Sequence, residues 1–296
     1  MPRWRLTYGS LGSMRLPLPG TVPHEVAAPA PGAGPGFWSG SSTAALEPDG
    51  SYAILYRVRN GHEGNALNVI ARSEDGATLT TVAELDESHF GAMSIERPAL
   101  VRTEAGRWRM YVCLATPGSK HWWIGALEAG DLEGLAGADV RPAFPGDETI
   151  GVKDPVIWRD HAGWHGLICC HLLDIPDHED RMDTRYATSP DGLQWTWRGT
   201  VLTGTPGTWD ARGARLTARL PGGQVAYDGR ATAEENWYER TGLARRDGDG
   251  YAALPGNPID DVRYLDVVAL PDGAYRIYYE FRLPDDAHEL RTELIA

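Results

Sequence analysis

The sequence predicts an all-β fold: a single five-bladed β-propeller over residues 1–296, its ring closed by the N-terminal strand joining the last blade. Three observations lead there. One unit, an apolar strand, a glycine turn and a second strand rich in aromatic and β-branched residues, occurs five times. The turn glycines of the five copies, Gly50, Gly106, Gly163, Gly223 and Gly273, are separated by 56, 57, 60 and 50 residues. A β-sandwich, with turns every ~8 to 12 residues and no longer period, does not repeat in that way. Finally, the 35 glycines and 21 prolines are scattered along the chain, as turns between short strands require, and are not gathered into a disordered tract.

Taken in order, the copies are SSTAALEPDGSYAILYRV (41–58), ERPALVRTEAGRWRMYVCL (96–114), KDPVIWRDHAGWHGLICCH (153–171), RGARLTARLPGGQVAYDGR (212–230) and YLDVVALPDGAYRIYYEF (264–281). A third strand follows in NVIARSEDGATL and in TRYATSPDGLQWTWRG, where Asp75-Gly76 and Asp191-Gly192 make the tight turn into an outer strand. The fifth copy ends at HELRTELIA, which supplies a third strand and leaves no residues for a fourth. Arg3 to Tyr8 alternate polar and apolar residues with the period of a strand, so this segment is expected to pair near His288 to Leu294. That pairing hides an edge that otherwise invites aggregation. Helical patterning is scarce, and ATAEENWYER in the fourth repeat reads as a loop or a single turn.

The formal net charge of -13, spread along the chain, disfavours nucleic acid and anionic membranes as partners. No 18-residue apolar run is present, and the first twenty residues lack the apolar core of a secretory signal. Cys113, Cys169 and Cys170 are an odd trio without metal-ligand spacing, as expected of reduced thiols in the cytoplasm.

In a propeller the first strand of each blade lines the central channel, so the residues that open the five first strands converge. They are Trp38 to Ser42, Glu96 and Arg97, Lys153 and Asp154, Asp210 and Arg212, then Arg263, Tyr264 and Asp266. Purely structural strands open on apolar or β-branched residues; charges aimed into a channel mark a binding site or a wet structural network.

These segments carry a family resemblance. AILYRV followed by ARSEDG, then SIERPALV, GVKDPVIW and TWDARGARLTARLPGGQVAYDG resemble, in the same order, the signature segments of glycoside hydrolase family 130, with weaker similarity to families 43 and 32. The resemblance implies a five-bladed propeller handling carbohydrate in its central pocket. The chain also departs from those families. Arg97 stands where family 130 phosphorylases carry their aspartate proton donor, leaving Glu96 as the nearest carboxylate. Arg212 lies near the expected acid glutamate of family 43, and Asp154 alone matches that family's three carboxylates.

Cleaving a glycosidic bond needs a carboxylic acid at the leaving oxygen and a second carboxylate to activate water, or a bound phosphate as nucleophile. Glu96, Asp154, Asp210 and Glu235 are the catalytic candidates, with Asp228, Glu234 and Glu239 close in the same segments. Trp38, Trp122, Trp123, Trp209 and Trp237 offer flat faces for sugar C-H surfaces, Tyr264 and Asp266 open the last blade, and His121 lies at the rim. Arg97, Lys153, Arg212 and Arg240 suit a phosphate or acidic sugar, or else pair with neighbouring carboxylates. The run from His171 to Asp183, with its five carboxylates and two histidines, reads as an exposed acidic loop, a loosely held Ca²⁺ being the alternative. Otherwise no cofactor is expected. The leading expectation is a glycoside hydrolase acting on a terminal bond of a small glycan or glycoside; the alternatives are a phosphate-dependent phosphorylase and a non-catalytic sugar-binding propeller.

Overall fold

The computed structural model describes residues 16–61 and 66–296. Among them lie twenty β-strands, three short 3-10 turns and no α-helix, so none crosses a membrane as a long apolar helix.

Strand β1 (Glu25–Ala28) precedes a series of antiparallel runs. The first is β2 (Phe37–Leu46), β3 (Tyr52–Asn60), β4 (Ala66–Ser73) and β5 (Thr80–Asp86). The second is β6 (Ile95–Arg102), β7 (Trp108–Ala115), β8 (Trp122–Ala129) and β9 (Arg141–Phe144). The third is β10 (Ile150–Asp160), β11 (Gly163–Leu172), β12 (Met182–Ser189) and β13 (Thr196–Thr203). The fourth is β14 (Gly213–Arg219), β15 (Gln224–Arg230), β16 (Arg240–Asp247) and β17 (Gly250–Ala253). The last is β18 (Val262–Ala269), β19 (Tyr275–Arg282) and β20 (His288–Ile295), with β1 antiparallel on the outer edge of β20. All five sequence repeats are therefore the first two strands of a run. Their turn glycines all take the left-handed backbone that glycine adopts without steric cost, from φ 71° at Gly106 to 116° at Gly163.

The edge of β20 that the sequence assigns to Arg3–Tyr8 is held by Glu25–Ala28 instead, with Glu25 opposite Thr292 and Ala28 opposite Leu290; Arg3–Tyr8 lie outside the described residues. Buried Glu293 fixes the preceding chain, accepting the Gly20 and Val22 amides at 2.7 and 3.1 Å and the Tyr279 hydroxyl at 2.8 Å.

The hydrogen-bonded sheets are open, and the runs meet by packing. One core joins Leu55 and Ile70 of the first run to Trp108 and Met110 of the second. Others join second to third through Tyr111 and Ile168, third to fourth through Leu167 and Tyr227, and fourth to last through Leu243 and Ile277. A further core packs Tyr278 and Leu290 of the last run on Ile54 and Val69 of the first. The Asp-Gly turns belong to this packing. Asp75 and Asp191 each accept two backbone amides, and the Gly76 and Gly192 carbonyls accept the Tyr278 and Tyr111 hydroxyls of a neighbouring run.

The first strands β2, β6, β10, β14 and β18 lie side by side, with β18 also against β2. Each breaks register with its partner: between Gly40 and Thr43, Glu96 and Ala99, Lys153 and Val156, Leu216 and Ala218, and Arg263 and Asp266. A bulge turns the strand and re-aims the side chains beside it. Pro98 and Pro155 fit there because the bulged residue needs no ladder amide. Ser41, Asp154 and Tyr264 adopt positive φ at three of the bulges (51°, 50° and 54°), a costly backbone for residues with a Cβ.

Candidate functional site

The residues before the bulges surround a cavity of about 380 Å³, within the size range of small-molecule sites. Of the residues expected from sequence, Trp38, Glu96, Lys153, Glu239 and Tyr264 line it. Asp154 and Asp228 lie directly beneath, wholly buried, joined by Arg215 of β14, whose guanidinium donates to Asp154 at 3.2 Å, Asp228 at 2.9 Å and the Tyr264 hydroxyl at 2.9 Å. Burial works against the Arg215 charge, yet Tyr264, Asp228 and Asp154 hold it protonated well above the ordinary range. Burial raises the Asp228 carboxyl, against the pull of Arg215.

Glu96 pairs through Oε2 with Arg57 of β3, whose Nε and Nη2 have no partner among the described residues. Glu239 is gripped by Arg230 at 2.5 Å and Arg263 at 2.8 Å. Burial opposes its charge, but Arg263, Arg215 and Arg230 hold its carboxyl far below the usual range. Arg263 in turn meets Glu280 at 2.8 Å, and Glu280 accepts from His288, on which Trp38 stacks at 5.0 Å. Lys153 lies 4.9 Å from the Trp122 ring and makes no salt bridge among the described residues; desolvation lowers its ammonium pKa, against the opposing pull of the Asp154 charge.

The remaining candidates stand elsewhere. Asp210 caps its own loop, accepting Thr205 N at 3.2 Å, the Thr208 hydroxyl and, at 2.8 Å, the Tyr227 hydroxyl. Glu235 accepts the Ala231 amide and pairs with Arg240 at 3.4 Å, so it closes a turn. Trp209 packs on Tyr227 beneath the strands, against Gly229 and Gly242. His121 spends both ring nitrogens on Thr116 and the Pro145 carbonyl. Alternation along β8 puts Trp122 on the cavity and sends Trp123 to the core between the first two runs, so only the first of the two neighbouring tryptophans expected at the site reaches it. Arg97 and Asp266 face a separate cavity of about 180 Å³, 3.7 Å apart, with Arg97 also bonded to the Ser42 and Thr217 carbonyls. Arg212 pairs with Asp180 at 2.5 Å beside the site without lining it.

Sequence reasoning missed the second-strand arginines Arg57 and Arg230, and Arg215. The 171–183 stretch is exposed from Asp174 to His178, as its sequence suggests, but His171, Asp177, Glu179 and Asp180 also form one wall of the cavity. Within that stretch Asp174 pairs with Arg181, Asp180 with Arg212 and Asp183 with Arg185. Among the described residues no three His, Cys, Asp or Glu side chains are placed to share a metal ion. Cys113, Cys169 and Cys170 are free and buried, and burial raises all three thiols.

Beside the inner cavity runs an outer cleft of about 530 Å³, with which it shares Glu96, Lys120, Trp122, Asn236 and Trp237. Met93 (56% exposed) and Trp237 (37%) give the cleft a more apolar lining. Trp237 holds φ 82°, a genuine outlier for so bulky a residue, and meets Trp38 edge to face at 5.0 Å. Among the described residues, Glu96 is the only carboxylate residue lining both compartments.

No protein-family model matches the chain, and no curated protein does. Solved structures do resemble it. One, described under mannoside phosphorylases of family 130 that include glycoside hydrolases targeting β-1,2 mannosidic linkages in Candida mannan, is 16% identical with a TM-score of 0.59 over 93% of this chain and 95% of that one. The β-1,2-mannobiose phosphorylase of Listeria innocua is also 16% identical, with a TM-score of 0.61 over 86% and 89%. The α-L-arabinofuranosidase of Lactobacillus brevis is 15% identical, with a TM-score of 0.60 over 86% and 90%. The chain thus shares the fold of glycoside hydrolases and phosphorylases.

Proposed function

We propose that the protein is a glycoside-cleaving enzyme: a single five-bladed propeller, its ring completed by β1, that removes a terminal sugar from a small glycan or glycoside held in the inner cavity. The cyclic order of the five cores, last run against first, supports the propeller reading. The position of Glu96 carries the functional one. A bond joining a sugar in the inner cavity to a group in the outer cleft passes the one carboxylate residue that, among the described residues, is common to both, and the oxygen of that bond must gain a proton to leave. Glu96 is the group that exchanges this proton. Glu239, held ionised by Arg230 and Arg263, cannot donate one; its fixed negative charge suits the positive charge that develops on the sugar ring. Trp122, half-buried, and Trp237, exposed, supply ring faces for the sugar.

The test is turnover of a panel of aryl glycosides and short oligosaccharides. Glu96→Gln lowers kcat by about 10²-fold or more, as loss of an acid-base group does; a near-normal rate in that variant refutes the assignment. A second reading rests on a separate observation. Lys153 without a salt bridge and Arg57 with two unpartnered nitrogens, among the described residues, are donors for an oxyanion, which favours phosphate as the attacking group. In that case turnover requires inorganic phosphate and yields a sugar 1-phosphate; if water attacks, the free sugar forms at the same rate without phosphate.

A further inference from the structure

The cavity wall contains one group that the cleavage scheme leaves unused. His171, at the end of β11, has Nδ1 3.0 Å from the Glu179 carbonyl oxygen. A carbonyl only accepts, so Nδ1 carries the proton and the lone pair of the neutral ring sits on Nε2. Nε2 is buried and without a hydrogen-bond partner, and the ring lines the inner cavity. Burial, then the charges of Lys153 and Arg230, hold the ring well below the ordinary imidazole range, so it is neutral at neutral pH. The other buried, unpartnered side-chain atoms on residues lining this cavity, among those described, are all N-H donors: Trp38 Nε1, Arg57 Nε and Nη2, and Nε of Arg215, Arg230 and Arg263. His171 Nε2 is the single acceptor among them.

We propose that His171 is a specificity-determining residue of this cavity: Nε2 accepts the hydrogen bond of a sugar hydroxyl and so selects a hydroxyl over an oxyanion at that wall. The proposal rests on the glycoside reading above. An oxyanion there faces a lone pair and gains nothing from it, whereas a hydroxyl donates to Nε2 and offers its own oxygen to the surrounding donors. The ligand class is therefore a neutral polyhydroxylated ring; a uronate or phosphorylated sugar is disfavoured at this position. A ligand lacking that hydroxyl leaves a buried acceptor unpaired, the situation in which sites discriminate strongly.

The experiment uses histidine-labelled protein, with the ¹⁵N ring resonances of His171 assigned by their loss in His171→Asn. The probes are the methyl glycopyranosides of glucose, galactose and mannose, and inorganic phosphate. Asparagine places its amide nitrogen where Nδ1 stood, preserving the bond to Glu179 while removing the acceptor; glutamine places an amide oxygen near the position of Nε2. The expected result is an Nδ1-protonated ring in the free protein and an Nε2 resonance that a methyl glycoside shifts. Binding of that glycoside weakens about 10-fold or more in His171→Asn and stays within about 3-fold in His171→Gln. A protonated Nε2, a glycoside bound equally by wild type and His171→Asn, or a response to phosphate but to no glycoside overturns the proposal. If no methyl glycoside binds the wild type, the glycoside reading falls and takes the proposal with it. An unchanged affinity in His171→Asn sinks the proposal alone.

Discussion

Replacing Arg215 by methionine removes the cation on which the floor of the cavity is built. Its guanidinium is 3% exposed and spans two wholly buried carboxylates at 3.2 and 2.9 Å. Each contact is worth about 5 kcal/mol of Coulomb attraction at an effective dielectric constant of ~20. Much of that is offset by the several kcal/mol needed to desolvate the charges. Without the guanidinium, however, the carboxylates remain buried: Asp228 keeps the Tyr264 amide and the Thr241 hydroxyl, while among the described residues Asp154 Oδ2 loses its only side-chain partner and Oδ1 already has none. Loss of one member of such a pair costs about 3–5 kcal/mol, a large share of the ~5–15 kcal/mol of a typical fold. The assay is equilibrium urea denaturation of wild type, Arg215→Met and the double variant Arg215→Met/Asp154→Asn, which restores the local net charge and is expected to regain part of the loss. The penalty also depends on pH. The folded-state pKa of Asp228 is already raised by burial, so its contribution is unfavourable above that pKa and relieved as pH falls through it toward the unfolded value. Removing Arg215 raises it further, and the gap between wild type and variant narrows as pH falls. A loss below about 1 kcal/mol, or no recovery in the double variant, refutes the claim that Arg215 is the electrostatic keystone of the floor.

Glu239→Gln leaves Arg230 and Arg263 facing each other without their shared carboxylate and costs about 3–5 kcal/mol at pH 7. Because the native pKa of Glu239 is depressed, its stabilisation is present above the unfolded carboxylate pKa of about 4.3 and fades as pH falls below it. Wild type and variant therefore converge in acid denaturation profiles, and a gap that stays constant down to pH 3 contradicts the pairing. Glu293→Ala strips two hydrogen bonds from the chain ahead of β1 and one from Tyr279 of β19 and lowers stability by roughly 2–4 kcal/mol. Limited proteolysis then cuts first within residues 16–28; cleavage elsewhere, with that segment intact, argues against the latch. Since β1 holds the edge of β20, truncation through residue 28 exposes that edge and promotes aggregation, and a soluble, fully stable truncation refutes its role in closure.

The repeat was legible because its turn glycines and paired strands lie close in sequence. The gathering of Glu96, Lys153 and Tyr264 was legible because charged or polar residues open strands that otherwise want apolar ones, and Pro98 and Pro155 mark where the ladder is interrupted. The arginines of the floor were harder to see. Arg57 in AILYRV and Arg215 in GARLTAR look like ordinary strand charges; the available signal was a charge inside a buried apolar run, which needs a partner. The partners are remote: Arg57 and Glu96 come from different runs, as do Arg215 and Asp154. The same remoteness hid the 171–183 wall, whose Asp180 is drawn in by Arg212 and Arg230. Asp210 and Glu235 misled because a carboxylate that caps a loop and one that faces a ligand have the same sequence. Trp122 and Trp123 differ only in the phase of a two-residue period, which one strand does not fix for itself.

The central claim is that a glycosidic bond is broken beside Glu96. The most direct measurement follows release of sugar by NMR from aryl glycosides and short oligosaccharides, with and without inorganic phosphate, for wild type and Glu96→Gln. The account predicts that wild type releases free sugar or sugar 1-phosphate from at least one of them and that the variant is slower by about 10²-fold or more. A wild-type protein that binds one of these glycans yet releases no sugar under either condition contradicts it, and leaves a protein that only holds its sugar.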